Sequence, residues 1–286
     1  MSDMQNQRLD GSFKLTRVGV TGVKKPVTVR RPGRELTLVV EFNLFVDLPA
    51  ELKGSHMSRN LEVLSMVIDE LVREPVSGLE NLGSKICKEL LERHDYATCS
   101  EVQMSADYFL ERGMSNGNSS LENYVLTASA EARRNCATTK CIGVEVTGMT
   151  ACPCAMEEVR SKCGVEDQNP ALSITHNQRN VTTLSLEVPS DRPLEADRLI
   201  QIVEDCLSSP TYEILKRADE AQVVIDAHTN PKFVEDVVRD VLRTVLQEFR
   251  DLPDDVRVQV KSESFESIHK HNAYAERDTT MGELRR

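Results

Sequence analysis

The chain reads as an α+β protein made of two related halves, each supplying strands, then helices, then further strands. Three observations carry that reading. Apolar residues alternate with period two along segments such as 101–110 and 181–188, the pattern of half-buried strands. They recur at helical spacing along 59–73, 79–90 and 230–249. Both patterns occur on each side of a boundary near Arg134. The halves share an order of elements and show no sequence repeat that would by itself establish duplication.

The elements follow in order. Residues 1–12 read as a disordered start, 13–134 as the first half, 135–276 as the second, and 277–286 as a charged, mobile tail. Residues 13–20 and 35–48 read as strands, the second on the apolar run from Leu36 to Val46, with Arg31-Pro32-Gly33 as the turn between them. Leu61, Leu64, Ile68 and Leu71 mark one face of a helix over 59–73. Leu79, Leu82, Ile86 and Leu90 mark a second, with Ser77-Gly-Leu-Glu80 as its capping box. Val102, Met104, Ala106, Tyr108 and Leu110 share one face of a strand, and 113–120 is a polar loop. Strands follow at 123–133 and 139–147. In the second half, Leu184, Leu186 and Val188 line one side of a strand over 181–188, and 194–207 is helical. A strongly amphipathic helix runs from Asn230-Pro231 to Phe249, with Pro231 in its first turn, before a strand at 256–260.

Composition narrows the function. At 286 residues, 40% hydrophobic and 28% charged, the chain has an ordinary soluble composition. A net charge of −11 speaks against non-specific nucleic-acid binding, and the absence of Trp with only 4% aromatic residues speaks against base-stacking platforms. A nucleotide substrate is still compatible, because a local cluster of Lys and Arg can act inside an acidic protein. There is no apolar run of membrane-spanning length, and Met1 to Thr16 is too polar for a signal peptide, so the expected location is the cytoplasm and no membrane partner is expected. The eight scattered cysteines do not form the pattern of a disulfide framework. Walker A, G-x-G-x-x-G and H-E-x-x-H motifs are missing, which argues against phosphate transfer and nicotinamide chemistry.

Four clusters could carry chemistry. Gly148-Met-Thr-Ala-Cys152-Pro-Cys154 puts two thiols one residue apart on a proline-braced turn. Thr175-His176-Asn-Gln-Arg179 then places a histidine among polar residues just before a strand. Thiolate and imidazole together suit Zn²⁺ or Fe²⁺. The four-ligand spacing of a structural zinc site is missing, and a metal held by few protein ligands keeps a position open for water. The plainer readings are an incidental thiol pair and a hydrogen-bonded histidine. The third cluster, Lys216-Arg217-Ala218-Asp219-Glu220 together with Glu235, reads most simply as solvated helix charge. The fourth, with Glu263, Glu266, His269 and His271 within nine residues, is either a polar turn or a proton-transfer or metal-assisting group. Lys53-Gly-Ser-His-Met-Ser-Arg59 is either a simple strand-to-helix loop or an anion site at a helix start.

In combination these residues resemble the type IB GTP cyclohydrolases, and most closely their archaeal MptA-type branch. The matching blocks cover nearly the whole chain: Val18-Gly-Val-Thr-Gly22, Phe45-Val-Asp-Leu-Pro49, Gly54-Ser-His-Met-Ser-Arg-Asn60, Glu92-Arg-His-Asp-Tyr96, Val146-Thr-Gly-Met-Thr-Ala-Cys-Pro-Cys154, His176-Asn-Gln-Arg179, Lys216-Arg217 with Asp219-Glu220, Asn230-Pro-Lys-Phe-Val-Glu-Asp236 and Glu266-Ser-Ile-His-Lys-His-Asn272. Each block alone is weak; their number and order make the match specific. Asn60 after Met-Ser-Arg, Thr-Gly-Met-Thr before the thiols and the long interval from Cys154 to His176 lean archaeal. Ala155 after the thiols, where the family often has Ser, is the departure.

The resemblance implies the tunnelling fold (T-fold), here as two tandem copies that join an oligomeric β-barrel through a homodimer or homotetramer. It implies opening of the guanine imidazole ring of GTP with release of formate. In the archaeal branch the product is 7,8-dihydroneopterin 2′,3′-cyclic phosphate, made with Fe²⁺ on the route to methanopterin; the bacterial branch makes dihydroneopterin triphosphate for folate. By motif, Cys152, His176 and Glu220 are the metal ligands, for Fe²⁺ with Zn²⁺ or Mn²⁺ as alternatives. Glu235 is the carboxylate that takes guanine N1–H and the 2-amino group. Cys152, Glu266 and His269 are the catalytic candidates, and Cys154 is a supporting thiol. Arg179, Lys216 and Arg217, with Lys53 and Arg59, are candidates for the triphosphate. A non-catalytic purine- or metal-binding relative and a redox thiol protein are the alternatives from other classes.

Overall fold

The computed structural model describes residues 5, 7, 13–31, 34–71, 76–113, 119–164, 173–188 and 194–286. The expected turn at Pro32-Gly33, nearly all of the expected disordered start, most of the 113–120 loop and much of the Cys154–His176 interval lie outside those residues. By contacts the chain divides into two units, not at one boundary near Arg134. Residues 1–107, 126–142 and 187–193 form the first, and 108–125, 143–186 and 194–286 the second.

In the first unit, β1 (Leu15–Arg31) pairs antiparallel with β2 (Arg34–Leu48), which pairs in turn with the start of β3 (Cys99–Gly113). Val40, Phe42, Leu44 and Val46 of β2 are fully buried while Val39 is exposed. The apolar run thus conceals an ordinary alternation, and the register places Phe42 opposite Met104 and Leu44 opposite Val102. Asp47, at the end of β2, accepts hydrogen bonds from the Thr98 and Cys99 amides and from the Thr98 hydroxyl, and pairs with Lys14 at 2.8 Å. Burial alone would raise its carboxyl; these donors override that and hold it at about 2.

Two helices cover this sheet. α2 (Leu79–Arg93) buries Leu79, Leu82, Ile86 and Leu90, as the spacing requires. Its N-cap is Gly78, so the expected Ser77 capping box is not formed; the Ser77 hydroxyl oxygen instead accepts from Asn81 at 2.9 Å. α1 (Met57–Leu71) is rotated from the expected face. Leu61 is exposed, and the inward residues are Asn60, Val63, Leu64 and Val67. The cause is His94, fully buried just past α2, whose Nε2 lies 2.7 Å from Asn60 Oδ1 and whose Nδ1 lies 2.9 Å from the Tyr96 hydroxyl.

Burial, with the charges of Arg59 and His56, pushes His94 down to about 4, against an ordinary value of 6.5, so it is neutral in the fold. Its contribution to stability is complete above pH 6.5, where it is neutral folded or unfolded. That contribution is lost as pH falls from 6.5 toward 4, because the unfolded chain protonates first; the ceiling is about 3 kcal/mol. Urea midpoints of the wild type should therefore fall more steeply between pH 7 and 5 than those of His94→Gln. Parallel pH profiles would remove His94 as the source of acid sensitivity.

The second unit contains the ends of β3 and β4 (Ser119–Arg133) that fall in 108–125 and most of β5 (Thr139–Ala151) and β6 (Asn177–Glu187). Between β5 and β6 lies α3 (Pro153–Cys163), where the sequence suggested only a turn. Then come α4 (Ala196–Cys206), β7 (Ser209–Pro210), α5 (Arg217–Thr229), α6 (Val234–Glu248), β8 (Arg257–Ser264), β9 (Ala273–Thr280) and α7 (Met281–Leu284). α6 begins at Val234, three residues beyond Pro231, because the Lys232 amide is committed to the Ala151 carbonyl at 3.0 Å. Asp236 then reaches back to accept the Phe233 N–H at 3.1 Å, as a capping carboxylate does. Residues 277–286 are not a mobile tail: they complete β9, paired along β8, and form α7, whose Met281 is fully buried.

Among the described residues the hydrogen-bonded strand order is β1-β2-β3-β4-β5-β6-β8-β9, with β7 on β5. No helix among the described residues is long and apolar enough to cross a membrane.

Candidate active site

The site forms where β5, β6 and β8 end beside the start of α6. β5 stops at Ala151, and Cys152 caps α3 in an extended conformation with Pro153 as the first helical residue. The Cys152 sulfur accepts the Ala155 N–H at 3.4 Å, at a helix end whose dipole favours negative charge. Two hydrogen bonds staple Cys152 to the approach of β6: its amide donates to the His176 carbonyl at 3.0 Å, and the Thr175 hydroxyl donates to its carbonyl at 2.6 Å. A thiol and an imidazole 24 positions apart in the sequence are thereby tied backbone to backbone.

His176 Nδ1 lies 2.9 Å from Gln178 Oε1 and 3.5 Å from Glu266 Oε2. Both His176 and Glu266 have little side-chain exposure. The His269 ring stands edge-on to His176 with centroids 6.3 Å apart, and His271 stacks on His269 at 5.1 Å. Glu235, in the first turn of α6, faces the same space. Cys152, His176, Glu235, Glu266, His269 and Lys232 thus share one cavity of about 240 Å³. The Lys232 ammonium is engaged by the Cys206 carbonyl and Asp240, both at 2.9 Å, so it is a brace for the α6 approach.

Other residues singled out in the sequence are placed elsewhere. Glu220 and Arg179 line a second cavity of about 710 Å³, with Glu122, Tyr124 and Tyr212. Lys216 and Arg217 start α5 and are exposed, lining neither cavity. Cys154 is exposed on the first turn of α3. Lys53 and Arg59 belong to the first unit, where Lys53 Nζ donates to Gln7 Oε1 at 3.2 Å and Arg59 to the Arg93 carbonyl at 3.1 Å.

Among the described residues, no three His, Cys, Asp or Glu side chains are gathered closely enough to hold a metal ion. The donor set of the smaller cavity nonetheless suits one. A thiol, imidazoles and carboxylates are what Zn²⁺ and Fe²⁺ take, and His176 has its Nδ1 occupied by acceptors, which leaves Nε2 for a ligand bond.

The sequence reading passed over Gln178 and Ser264, which line this cavity, and Thr150, fully buried and hydrogen-bonded to both. A signal was present. Gln178, Asn180 and Thr182 occupy the same alternate positions as Leu184 and Leu186, so polar side chains sit on the core face of a strand.

A mixed α/β fold with an antiparallel sheet, carrying a thiol–imidazole–carboxylate cleft, is the frame to which the known proteins can be compared. The type I GTP cyclohydrolase folE2 family matches residues 1–275, and the chain belongs to that family. More particularly, it is similar to GTP cyclohydrolase MptA 2 of Methanocella arvoryzae, at 43% identity over 302 aligned residues covering 100% of this chain and 98% of the relative. GTP cyclohydrolase MptA of Methanothermobacter thermautotrophicus is 44% identical, covering 95% of this chain and 91% of that protein. Among solved structures, a uricase from Bacillus fastidious aligns with TM-score 0.53 at 10% identity, covering 95% of each chain. The uricase of Arthrobacter globiformis aligns with TM-score 0.51 at 11% identity over 96% of each. At such identities the likeness is one of fold alone: the tunnelling-type arrangement of antiparallel strands and helices.

Proposed function

We propose that this protein is a metal-dependent GTP cyclohydrolase that opens the imidazole ring of GTP and releases carbon 8 as formate. Full-length similarity to MptA-type enzymes supports the reaction. The observation that carries it to particular atoms is the cavity shared by Cys152, His176, Glu235, Glu266 and His269. The product expected from the archaeal resemblance is 7,8-dihydroneopterin 2′,3′-cyclic phosphate, the first step toward methanopterin. The reaction belongs in the cytoplasm.

The chemistry asks for two hydrolyses. Each C8–N bond of the imidazole ring takes up one water, and C8 departs at the oxidation level of formate. Glu235 orients the base: its two oxygens accept guanine N1–H and the 2-amino group, a donor pair that adenine lacks. Glu266 and His269 move the protons, one onto N7 to make C8 electrophilic and one away from the attacking water. Cys152 and His176 would hold the metal, Fe²⁺ with Zn²⁺ or Mn²⁺ as alternatives. Bound there, a divalent ion supplies water that is already hydroxide near neutral pH. Arg179, Lys216 and Arg217 serve the triphosphate.

Glu220 is the third ligand that the resemblance names. It stands in the larger cavity, on α5, a helix that buries just Asp219, Ala227 and His228, and within one chain it does not line the cavity of Cys152 and His176. Glu220→Gln is expected to lose most bound iron, while Glu266→Gln keeps iron and loses turnover. Iron per subunit measured in both variants checks this; the reverse pattern would make Glu266 the ligand. Self-association as a dimer or tetramer follows from the same reading, and the strand order supports it, since β1 and β9 each end the sheet, and beyond β2 the first of them meets a single bridge, Val29 to Val76, among the described residues.

The test of the function is anaerobic incubation of the purified protein with GTP and Fe²⁺, with formate assayed and the pterin identified by mass. Cyclic phosphate confirms the archaeal-type product, triphosphate the bacterial type. Absence of formate with iron bound would leave a purine-binding relative without the reaction.

A further inference from the structure

We propose that Gln178, held by a buried ladder of hydroxyl and amide groups, is a positioning residue that locks His176 in the tautomer with Nε2 free for the metal. The inference rests on the reading of His176 as a ligand.

β6 and β8 pair in a register that sets Leu186 opposite Val258 and Leu184 opposite Val260. Nearer the site the same inward face turns polar, with Thr182 opposite Ser262 and Asn180 opposite Ser264. Thr150 of β5 and Gln178 complete this layer, in which Gln178, at 7%, is the most exposed member. Every link of the ladder is a hydrogen bond. The Thr182 hydroxyl donates to Asn180 Oδ1 at 2.6 Å, and the Asn180 amide nitrogen donates to Ser262 at 2.8 Å and Ser264 at 3.0 Å. Ser264 meets Thr150 at 2.9 Å, and Gln178 Nε2 donates to Thr150 at 3.1 Å. Six buried polar side chains in a layer that Leu and Val fill elsewhere add little net stability, since each must first be desolvated. What such a network supplies is a single orientation for the group at its end.

That group is the Gln178 amide, and its orientation is decided by its hydrogen-bond partners. Nε2 lies 3.3 Å from Glu266 Oε1. Thr150 Oγ1 at 3.1 Å is its second acceptor, so this end of the amide is the NH₂. The carbonyl oxygen is then the atom 2.9 Å from His176 Nδ1, and it too only accepts. Nδ1 must therefore carry the proton, and Glu266 Oε2, 3.5 Å from the same nitrogen, asks for the same tautomer. The lone pair is left on Nε2. The ladder thus converts a core layer drawn from β5, β6 and β8 into the protonation pattern of one imidazole.

The test uses metal-free protein with ¹⁵N-labelled histidine, in which ring-nitrogen shifts report the His176 tautomer, assigned with His176→Ala. Affinity for Co²⁺ is measured separately by chelator competition. In the wild type Nδ1 should carry the proton. Gln178→Leu should give a mixture of tautomers and Co²⁺ binding weaker by about 10–100-fold, the range for losing a partner of a metal-bound histidine. Gln178→Glu, which keeps an acceptor at Nδ1, should restore the wild-type tautomer. Thr150→Val should shift the tautomer in the same direction by less, and serves if the leucine variant does not fold. A Gln178→Leu protein with the wild-type tautomer and affinity overturns the proposal, whatever its melting temperature. Retention of full Co²⁺ affinity by His176→Ala would instead overturn the ligand assignment, a separate failure because the tautomer is read without metal.

Discussion

Cys152→Ser is expected to abolish formate release and to lower metal retention by more than about a hundredfold. Replacing even an outer partner of a metal ligand reaches that figure at its upper end, and here the change falls on the ligand itself. Serine is nearly isosteric and can still accept the Ala155 N–H that the sulfur now takes at 3.4 Å, so α3 and its cap should persist. What is lost is the soft, ionisable donor that a borderline metal selects. Iron per subunit and formate release should fall together while the far-ultraviolet circular dichroism is unchanged. Cys154→Ser, two residues on and exposed at the surface of α3, should be milder. Wild-type activity in Cys152→Ser would remove the sulfur from the mechanism, and an equally complete loss in Cys154→Ser would show the thiols to be wrongly ranked.

Glu235→Gln should keep fold and metal and lose most efficiency toward GTP. The amide has one acceptor where guanine offers two donors, and its NH₂ would face a donor across the gap. Losing a charge-assisted two-point contact costs roughly 2–4 kcal/mol, or about thirty- to a thousand-fold in kcat/KM. Glu235 is exposed in the free chain, in the first turn of α6, so the substitution should cost little in folding. The comparison is kcat/KM for GTP beside iron per subunit. Near-normal efficiency at normal iron would mean that the base is held elsewhere, and the larger cavity around Arg179 and Glu220 would be the place to look.

Much of the fold could be read locally. The face of α2, the alternation of β3 and the aliphatic end of β6 all emerged where one side of an element is apolar and the other is not. The reading slipped where that contrast fails. α1 turned because a polar residue, Asn60, is one of its fully buried anchors, and polar anchors are invisible to a hydrophobic count. β9 carries Glu276, Arg277 and Asp278 in a row and buries only Thr279, so only its pairing with β8 distinguishes it from a loose tail. α3 opens on a proline and buries Met156 alone, too little to mark a helix.

By itself the sequence determined the family, the chemistry of the donor set and the residues worth naming, because those are properties of side-chain type and of ordered motifs. Tertiary structure decided which of them meet. Cys152 and His176 come together through a backbone hydrogen bond and one from the Thr175 hydroxyl, between the end of β5 and the approach of β6, and Glu266 through the β6–β8 register. Glu220, no less conspicuous in the sequence, is carried by a lightly buried helix into another cavity. The polar layer under His176 follows the same rule. Alternation reports which side of a strand faces inward, but whether a buried Gln, Asn or Thr finds partners depends on the strands beside it. That pairing is set by the cooperative packing of segments far apart in the chain, and no local pattern records it.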